Sequence, residues 1–312
     1  MSLKIGFFGT PDIAAFFLTK LIEKYTIAFI VTGEDKPSGR HRKIHFSPVK
    51  EIALSEGIPL YQPPMPGDQN FIRDITGAGT DLFVVVAYGK ILPPEVFTLP
   101  PLNTINLHPS LLPKYRGAAP IQWAIICGDH ETGITVQLMN EQLDAGDILS
   151  QKKIPIDSDI TAGELSRIIM PQGAELLIDT IEQMSRNQIT PLKQNEEEAT
   201  YCDKLDKELA RINWKMNSGQ IHNLVRGLNP SPVAWTTFRD ITIRIWRTAI
   251  IEEEIPLTGV QGNLSVYKKR RLIVETGDGP LEILQLQPET RKVMDAHSFI
   301  NGYRLKEGDF FQ

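Results

Sequence analysis

The chain has 312 residues, 41% apolar and 23% charged, the composition of an ordinary globular protein and enough length for two domains rather than one. No apolar run approaches the ~20 residues of a bilayer span, the N-terminal MSLKIGFFGTPD lacks a small-residue cleavage pattern, and two cysteines, Cys127 and Cys202, exclude a disulfide framework, so a cytoplasmic protein is expected. The net charge of −5 is uneven: from Arg211 onward there are 14 basic and 11 acidic residues, net +3, and the rest carries −8, which fits a polyanion meeting the back of the chain as well as it fits chance.

Residues 3–9 (LKIGFFG) are a short apolar run ending in Gly and predict a buried strand. Asp12 is placed to cap a helix reaching about residue 24, with Ile13, Phe16, Phe17 and Leu21 on its apolar side. A strand is expected at 26–32. A helix follows, with Ser47 as N-cap, Pro48 in its first turn and Gly57 as its stop. A weak strand at PLYQ, a helix over 68–77 and the most apolar strand of the chain, DLFVVVAYG (81–89), continue the alternation. TINL (104–107) predicts a strand, 119–127 a helix, 133–139 and 147–156 strands, and 161–186 a longer helix containing Gly163 and Pro171. Apolar strands alternating with helices predict an α/β fold, a parallel sheet covered on both faces.

Residues 190–208 are polar, contain QNEEEAT, and are expected to link a domain at 1–189 to one at 209–312. Beyond them the rhythm changes. A helix near 218–227 precedes VAWTTF, ITIRIWRTAI, GNLSVY, RLIVETG and PLEILQLQP, short strands separated by Gly, Asp and Pro, the pattern of a small β-barrel or sandwich.

The chemistry gathers in NLHPSLLPKYRGAAPIQ (106–122), where an amide, an imidazole, a hydroxyl and a guanidinium sit on a segment stiffened by three prolines. Asn106 and His108 end the TINL strand, where open α/β sheets place their ligands, and their spacing of two puts them on one face. An amide can donate to a developing oxyanion, and an imidazole can donate or shuttle a proton near neutral pH. A carboxylate to brace the imidazole is offered by LDAGDI, as Asp144 or as its rival Asp147; an Asp beside Gly is otherwise a common turn residue.

NLHPSLLPKYRGAAPIQWAI, followed by GDHETGITVQLMNEQLDAGDI, closely resembles the formyltransferases that use 10-formyltetrahydrofolate. FFGTPDIAA, DKPSGRHRKIHFSPVKEIA, VVVAYGKILP, ATYCDKLDKELARINW and RGLNPSPVAWTTF extend the resemblance over nearly the whole chain, toward the branch that acts on charged initiator tRNA. The resemblance implies a Rossmann-like, doubly wound catalytic domain and a smaller C-terminal barrel of the oligonucleotide-binding type. It implies transfer of a formyl group from reduced folate to the α-amine of methionine on initiator tRNA, with Asn106, His108 and Asp144 as the catalytic trio. It places the pterin between Val86, Ala87 and Tyr88 on one side and the Leu143–Asp144 loop on the other. SLLP matches a folate-associated signature at Ser110, Leu111, Leu112 and Pro113, in which Ser110 bonds the tail of the cofactor or holds its own loop.

For tRNA, the resemblance points to the loop at 34–48, where Lys36, Arg40, Arg42 and Lys43 surround Pro37 and Gly39; the alternative is a solvated surface loop. KKRR adds Lys268, Lys269 and Arg270, a second grip on phosphates or an exposed turn. His41 and His45 have no third ligand, so no metal is expected, and a monomer is expected. Three departures stand out: Asn103 where a glycine is common, INW for Ile-Asp-Trp, and NPSPVAW for Asn-Pro-Trp-Pro-Gly-Ala-Tyr. Two other readings stay open: the same chemistry on an amino-sugar nucleotide, and a non-catalytic RNA-binding protein on the same scaffold.

Overall fold

The computed structural model describes residues 3–38 and 43–312. The chain forms two compact units. One comprises Met1–Arg116, Gly133–Ile154 and Ile168–Tyr201, and the other Gly117–Thr132, Pro155–Arg167 and Cys202–Gln312.

The first unit is built on a seven-stranded sheet in the order Ile148–Pro155, Glu131–Leu138, Thr104–His108, Leu82–Val86, Lys4–Gly9, Thr26–Val31, Leu60–Tyr61. From Leu60–Tyr61 across to Thr104–His108 the pairs are parallel, and Glu131–Leu138 runs antiparallel to Thr104–His108. All five residues of Leu82–Val86 are buried, as a central strand covered on both faces requires. The chain leaves Lys4–Gly9 in one direction and re-enters on its other side at Leu82–Val86, so the order reverses between these two strands. In doubly wound sheets that reversal opens a crevice at the carboxyl ends of the strands.

Capping chemistry decides where most helices begin. Ser47 Oγ accepts from Lys50 N at 3.1 Å ahead of Pro48–Ser55, and Asp68 Oδ1 accepts from Asn70 N and Phe71 N at 2.9 and 3.1 Å ahead of Gln69–Gly77. The Asp12–Ile22 helix departs from the expectation. Pro11 holds its N-cap position without a side-chain cap, and Asp12 is the first helical residue, where its charge still suits the positive end of the helix. Its buried residues are Ala14, Ala15, Phe17, Leu18 and Leu21, not Ile13 and Phe16. The 14–17–18–21 spacing follows one helical face more closely than the bulkier side chains do. Ala162–Ser185 is continuous through Pro171. The long connector before Pro48 contains a small hairpin, Lys36–Ser38 with Lys43–His45.

The second unit holds one curled antiparallel sheet, Trp235–Phe238, Ile241–Ile250, Pro280–Pro288, Arg271–Glu275, Leu264–Tyr267, with Met294–Asp295 added to Pro280–Pro288. The Ile241–Ile250 ladder shifts register around Arg247, and such bulges bend a strand. Ser218–Gly227 and Ala296–Tyr303 pack Ile221, Leu224, Val225, Phe299 and Ile300 into the same core as Phe238, Leu272 and Phe311. The arrangement is a half-barrel rather than a sandwich.

Candidate active site

The reversal point brings Gly9–Thr10 beside Val86–Tyr88. Thr10 Oγ1 donates to the Tyr88 carbonyl at 3.1 Å and accepts from Gly33 N at 3.2 Å, fixing three strand ends together. Val86 is buried and Ala87 is exposed in a left-handed conformation, φ 46°. The Tyr88 ring is buried against Phe8, and its hydroxyl has no hydrogen-bond partner among the described residues. Burial, with the Glu34 charge adding to it, pushes that hydroxyl up to about 12, so Tyr88 stays neutral.

One strand away, Asn106 lies opposite Gln137 and His108 opposite Thr135 in the antiparallel register. The Asn106 amide donates to Asp144 Oδ1 at 3.3 Å, and His108 Nδ1 lies 3.7 Å from Asp144 Oδ2. The structure thus brings together the three residues singled out in the sequence. Asp147 is instead tied to the strand, its carbonyl accepting from Leu138 N at 2.9 Å.

The imidazole is oriented by a group the sequence did not disclose. His108 Nε2 sits 2.8 Å from the Tyr115 carbonyl, which only accepts, so Nε2 carries a proton. Nδ1 is then the nitrogen that faces Asp144. Tyr115 can present its carbonyl because its backbone turns left-handed, φ 60°, and because its N–H donates to Thr200 Oγ1 at 2.8 Å.

Asp144 is held from several sides. Gln137 Nε2 donates to its Oδ1 at 3.1 Å, and Gln194 Nε2 donates to its backbone carbonyl and to that of Gly146, both at 2.8 Å. The loop turns at Asp144, φ 49°, and passes so near the end of the preceding strand that a Cβ on Gly146 would sit 1.7 Å from the Leu138 carbonyl. Arg116, 1% exposed, donates through Nε and Nη2 to Gln194 Oε1 at 3.1 and 2.9 Å and pairs both Nη atoms with Glu196 at 2.9 and 2.7 Å. That pairing raises the guanidinium further above its usual range and holds the Glu196 carboxyl below its own.

Among the SLLP residues, Ser110 is fully buried and donates to the Lys114 carbonyl at 2.6 Å, so it holds its own loop. Leu112 is also buried, its N–H given to Thr135 Oγ1 and its carbonyl receiving Gln151 Nε2. Leu111 and Pro113 are half-buried, while Leu143, on the Asp144 loop, is 62% exposed. Of the cationic loop, Lys36 and Lys43 fall in the hairpin strands, and Arg40 and Arg42 lie outside the described residues, as does His41. Lys268, Lys269 and Arg270 form the exposed turn between two strands, with Lys268 3.1 Å from Glu253. Among the described residues no group of three or more His, Cys, Asp or Glu is arranged to hold a metal ion, and no helix is long and apolar enough to cross a membrane.

Gln137, Arg116, Gln194 and Thr200 were not read as site residues. Only a polar Gln inside the apolar run GITVQLM could have signalled the first; Gln194 and Thr200 sit in a segment that looks like solvent-exposed linker.

Residues 3–181 match the formyl transferase family, and residues 204–304 match the formyl transferase C-terminal domain. The methionyl-tRNA formyltransferase of Clostridium perfringens (strain SM101 / Type A) is 44% identical over 307 residues, covering 98% of this chain and 99% of that protein. That of Thermodesulfovibrio yellowstonii is 43% identical over 309 residues, covering 99% and 98%. Among solved structures, WlaRD, a sugar 3N-formyl transferase crystallised with dTDP and 5-N-formyl-THF, matches with a TM-score of 0.67 at 21% identity, covering 94% of this chain and 100% of that one. With both regions in order along one chain and relatives matched end to end, this protein belongs to the formyl transferase family.

Proposed function

We infer that the chain transfers the formyl group of 10-formyltetrahydrofolate to the α-amino group of methionyl initiator tRNA. For the chemistry, the observation that carries this is the convergence of the Asn106 amide and His108 Nδ1 on the Asp144 carboxylate at the carboxyl end of the sheet. For the acceptor, it is the end-to-end likeness to methionyl-tRNA formyltransferases, above 40% identity, against about 20% for the sugar-modifying neighbour.

The amine attacks the formyl carbon, the C=O electrons move to oxygen, and the tetrahedral oxyanion collapses by breaking the bond to N10 of the folate, which leaves with the proton that the amine gave up. With Nε2–H given to Tyr115, neutral His108 presents a lone pair at Nδ1 and takes the proton that the amine nitrogen sheds as its bond to the formyl carbon forms. Once protonated, Nδ1 donates, and together with the Asn106 amide it stabilises the oxyanion; each well-aimed donor is worth about 3 kcal/mol of barrier. Asp144, 3.7 Å away, offsets the imidazolium charge. Folate lies along Val86, Ala87 and Tyr88, with Leu143 and Asp144 opposite and the SLLP loop, Leu111 and Pro113 foremost, beneath. The N-terminal domain, 1–189, performs the chemistry, and residues 209–312 together with Lys36, Arg40, Arg42 and Lys43 engage tRNA. The protein works as a cytoplasmic monomer.

The test offers charged initiator tRNA, charged elongator tRNA and an amino-sugar nucleotide side by side with 10-formyltetrahydrofolate. Formylation of the first is expected. Asp144→Asn should lower kcat by about 100-fold or more while tRNA still binds. Preference for the sugar nucleotide, or full turnover without Asp144, would defeat the assignment.

A further inference from the structure

The segment after the long helix, residues 194–201, looks like linker in sequence yet supplies five contacts to the catalytic apparatus. Gln194 donates to the Asp144 and Gly146 carbonyls, both at 2.8 Å, and to Gln137 Oε1 at 3.2 Å. Gln137 in turn donates to the Asp144 carboxylate. Thr200 accepts from Tyr115 N, whose carbonyl fixes His108, and the Thr200 carbonyl accepts from Arg116 N at 2.8 Å. Both faces of the His108–Asp144 pair therefore lean on this one stretch.

A primary amide suits this place for a chemical reason. Its nitrogen must donate to carbonyls, which only accept, while its oxygen must accept from a guanidinium, which only donates. Arg116 is buried, so the Gln194 oxygen meets a fixed charge and the amide cannot flip without setting donor against donor and acceptor against acceptor. The loop turns left-handed at Asp144, and its backbone carbonyl is held by Gln194 from outside the loop.

We propose that Gln194, locked in one orientation by Arg116, is a positioning residue for formyl transfer: it sets the backbone of Asp144 and thereby the distance of the carboxylate from Asn106 and His108. The proposal rests on the formyl-transfer reading of the site. A misplacement of the order of 1 Å at a reacting group costs about 100-fold in rate, so a single buried amide has leverage here.

Gln194→Glu isolates the effect, because the carboxylate still accepts from Arg116 but cannot donate to the Asp144 and Gly146 carbonyls. With formyl transfer to charged initiator tRNA as the readout, kcat should fall about 10- to 100-fold, with KM for both substrates within about threefold of wild type. In an Asp144→Asn background, the same change should cost less than about threefold more, since Gln194 acts through a carboxylate already removed. A loosened fold would instead lower the melting temperature, raise KM and multiply its loss with that of Asp144→Asn; that result overturns the proposal, as does a Gln194→Glu enzyme within twofold of wild type. Should Gln194→Glu not accumulate as folded protein, Gln194→Met is read by the same criteria, Arg116 keeping Glu196. Failure of the wild-type enzyme to formylate charged tRNA would strike the underlying reading instead, and is distinct from either outcome.

Discussion

Gly146 concentrates, in one residue, the constraint on the Asp144 loop. Its absent side chain lets the loop lie against the Leu138 carbonyl, and a methyl group there would sit 1.7 Å from that oxygen. The obstacle is backbone in a paired strand, so the loop must move rather than the strand. Gly146→Ala should therefore displace Asp144 and reduce kcat by about 10- to 100-fold, with far-UV circular dichroism unchanged; a rate within twofold of wild type would show that the loop holds Asp144 by other means. Two departures from the family pattern become legible at the same scale. Asn103 has φ 62°, a left-handed turn that glycine adopts freely and asparagine tolerates. Val233, at φ 71°, stands where the resembling blocks carry glycine, an unusual conformation for a β-branched residue, sustained by a side chain that is only 5% exposed. The convergence of Asn106, His108 and Asp144 was legible because Asn106 and His108 share a strand face and Asp144 follows a strand that pairs with theirs. The braces were not. Gln194 and Arg116 are 78 residues apart, and no local pattern announces a contact of that range.

Elements were legible where they carried their own signals and obscure where tertiary contacts made them. Ser47 announced its helix by capping, whereas Ala296–Tyr303, with a glycine near its end and only Ala296, Phe299 and Ile300 buried, has a periodicity too short to detect. Loop anchoring is equally hidden. Residues 258–263 are held by Glu275, which accepts from Thr258 N, Thr258 Oγ1 and Asn263 at 2.8, 2.8 and 2.9 Å on one oxygen and from Gly259 N at 2.8 Å on the other. Burial alone would raise this carboxyl, but the four donors outweigh it and leave it below the ordinary range. A depressed folded value means that the unfolded chain binds the proton more readily. The stabilisation is therefore complete above the unfolded carboxyl value and is lost as pH falls through the folded one. All four tryptophans, Trp123, Trp214, Trp235 and Trp246, lie in the second unit, so their fluorescence follows its unfolding in urea. Glu275→Gln should cost about 2 kcal/mol at pH 7, where a charged acceptor is replaced by an amide that misplaces a donor. The gap from wild type should narrow as pH falls below the ordinary carboxyl range and close once the native carboxylate, held below that range, is protonated. A gap independent of pH would mean that packing, not charge, anchors the loop.

For the proposed function, a molecule with a net charge of −5 must collect its cations locally to meet tRNA. Two clusters are available, and they differ in the acidic residues that accompany them. At the turn after Tyr267, Lys268 is paired with Glu253, and the neighbouring Arg271 bonds both Glu253 and Glu282. Lys269 and Arg270 are exposed beside them. The connector before Pro48 instead offers Lys36, Arg40, Arg42 and Lys43 with two acidic residues, Glu34 and Asp35, at its start, and Asp35 is occupied by Lys50 at 2.5 Å. The connector is therefore expected to supply the larger share of phosphate contacts. Each phosphate neutralised adds about one unit to the slope of log affinity against log salt. Arg42→Glu should lower that slope by about one or more and weaken kcat/KM for charged tRNA by about tenfold at moderate salt, leaving kcat at saturating tRNA unchanged. Lys269→Glu should do less on both counts, because the acidic residues around it already offset part of the field that phosphates would meet. If the two variants traded places, tRNA affinity would reside chiefly on the half-barrel; if neither moved the slope, the polyanion would be held by groups outside both clusters.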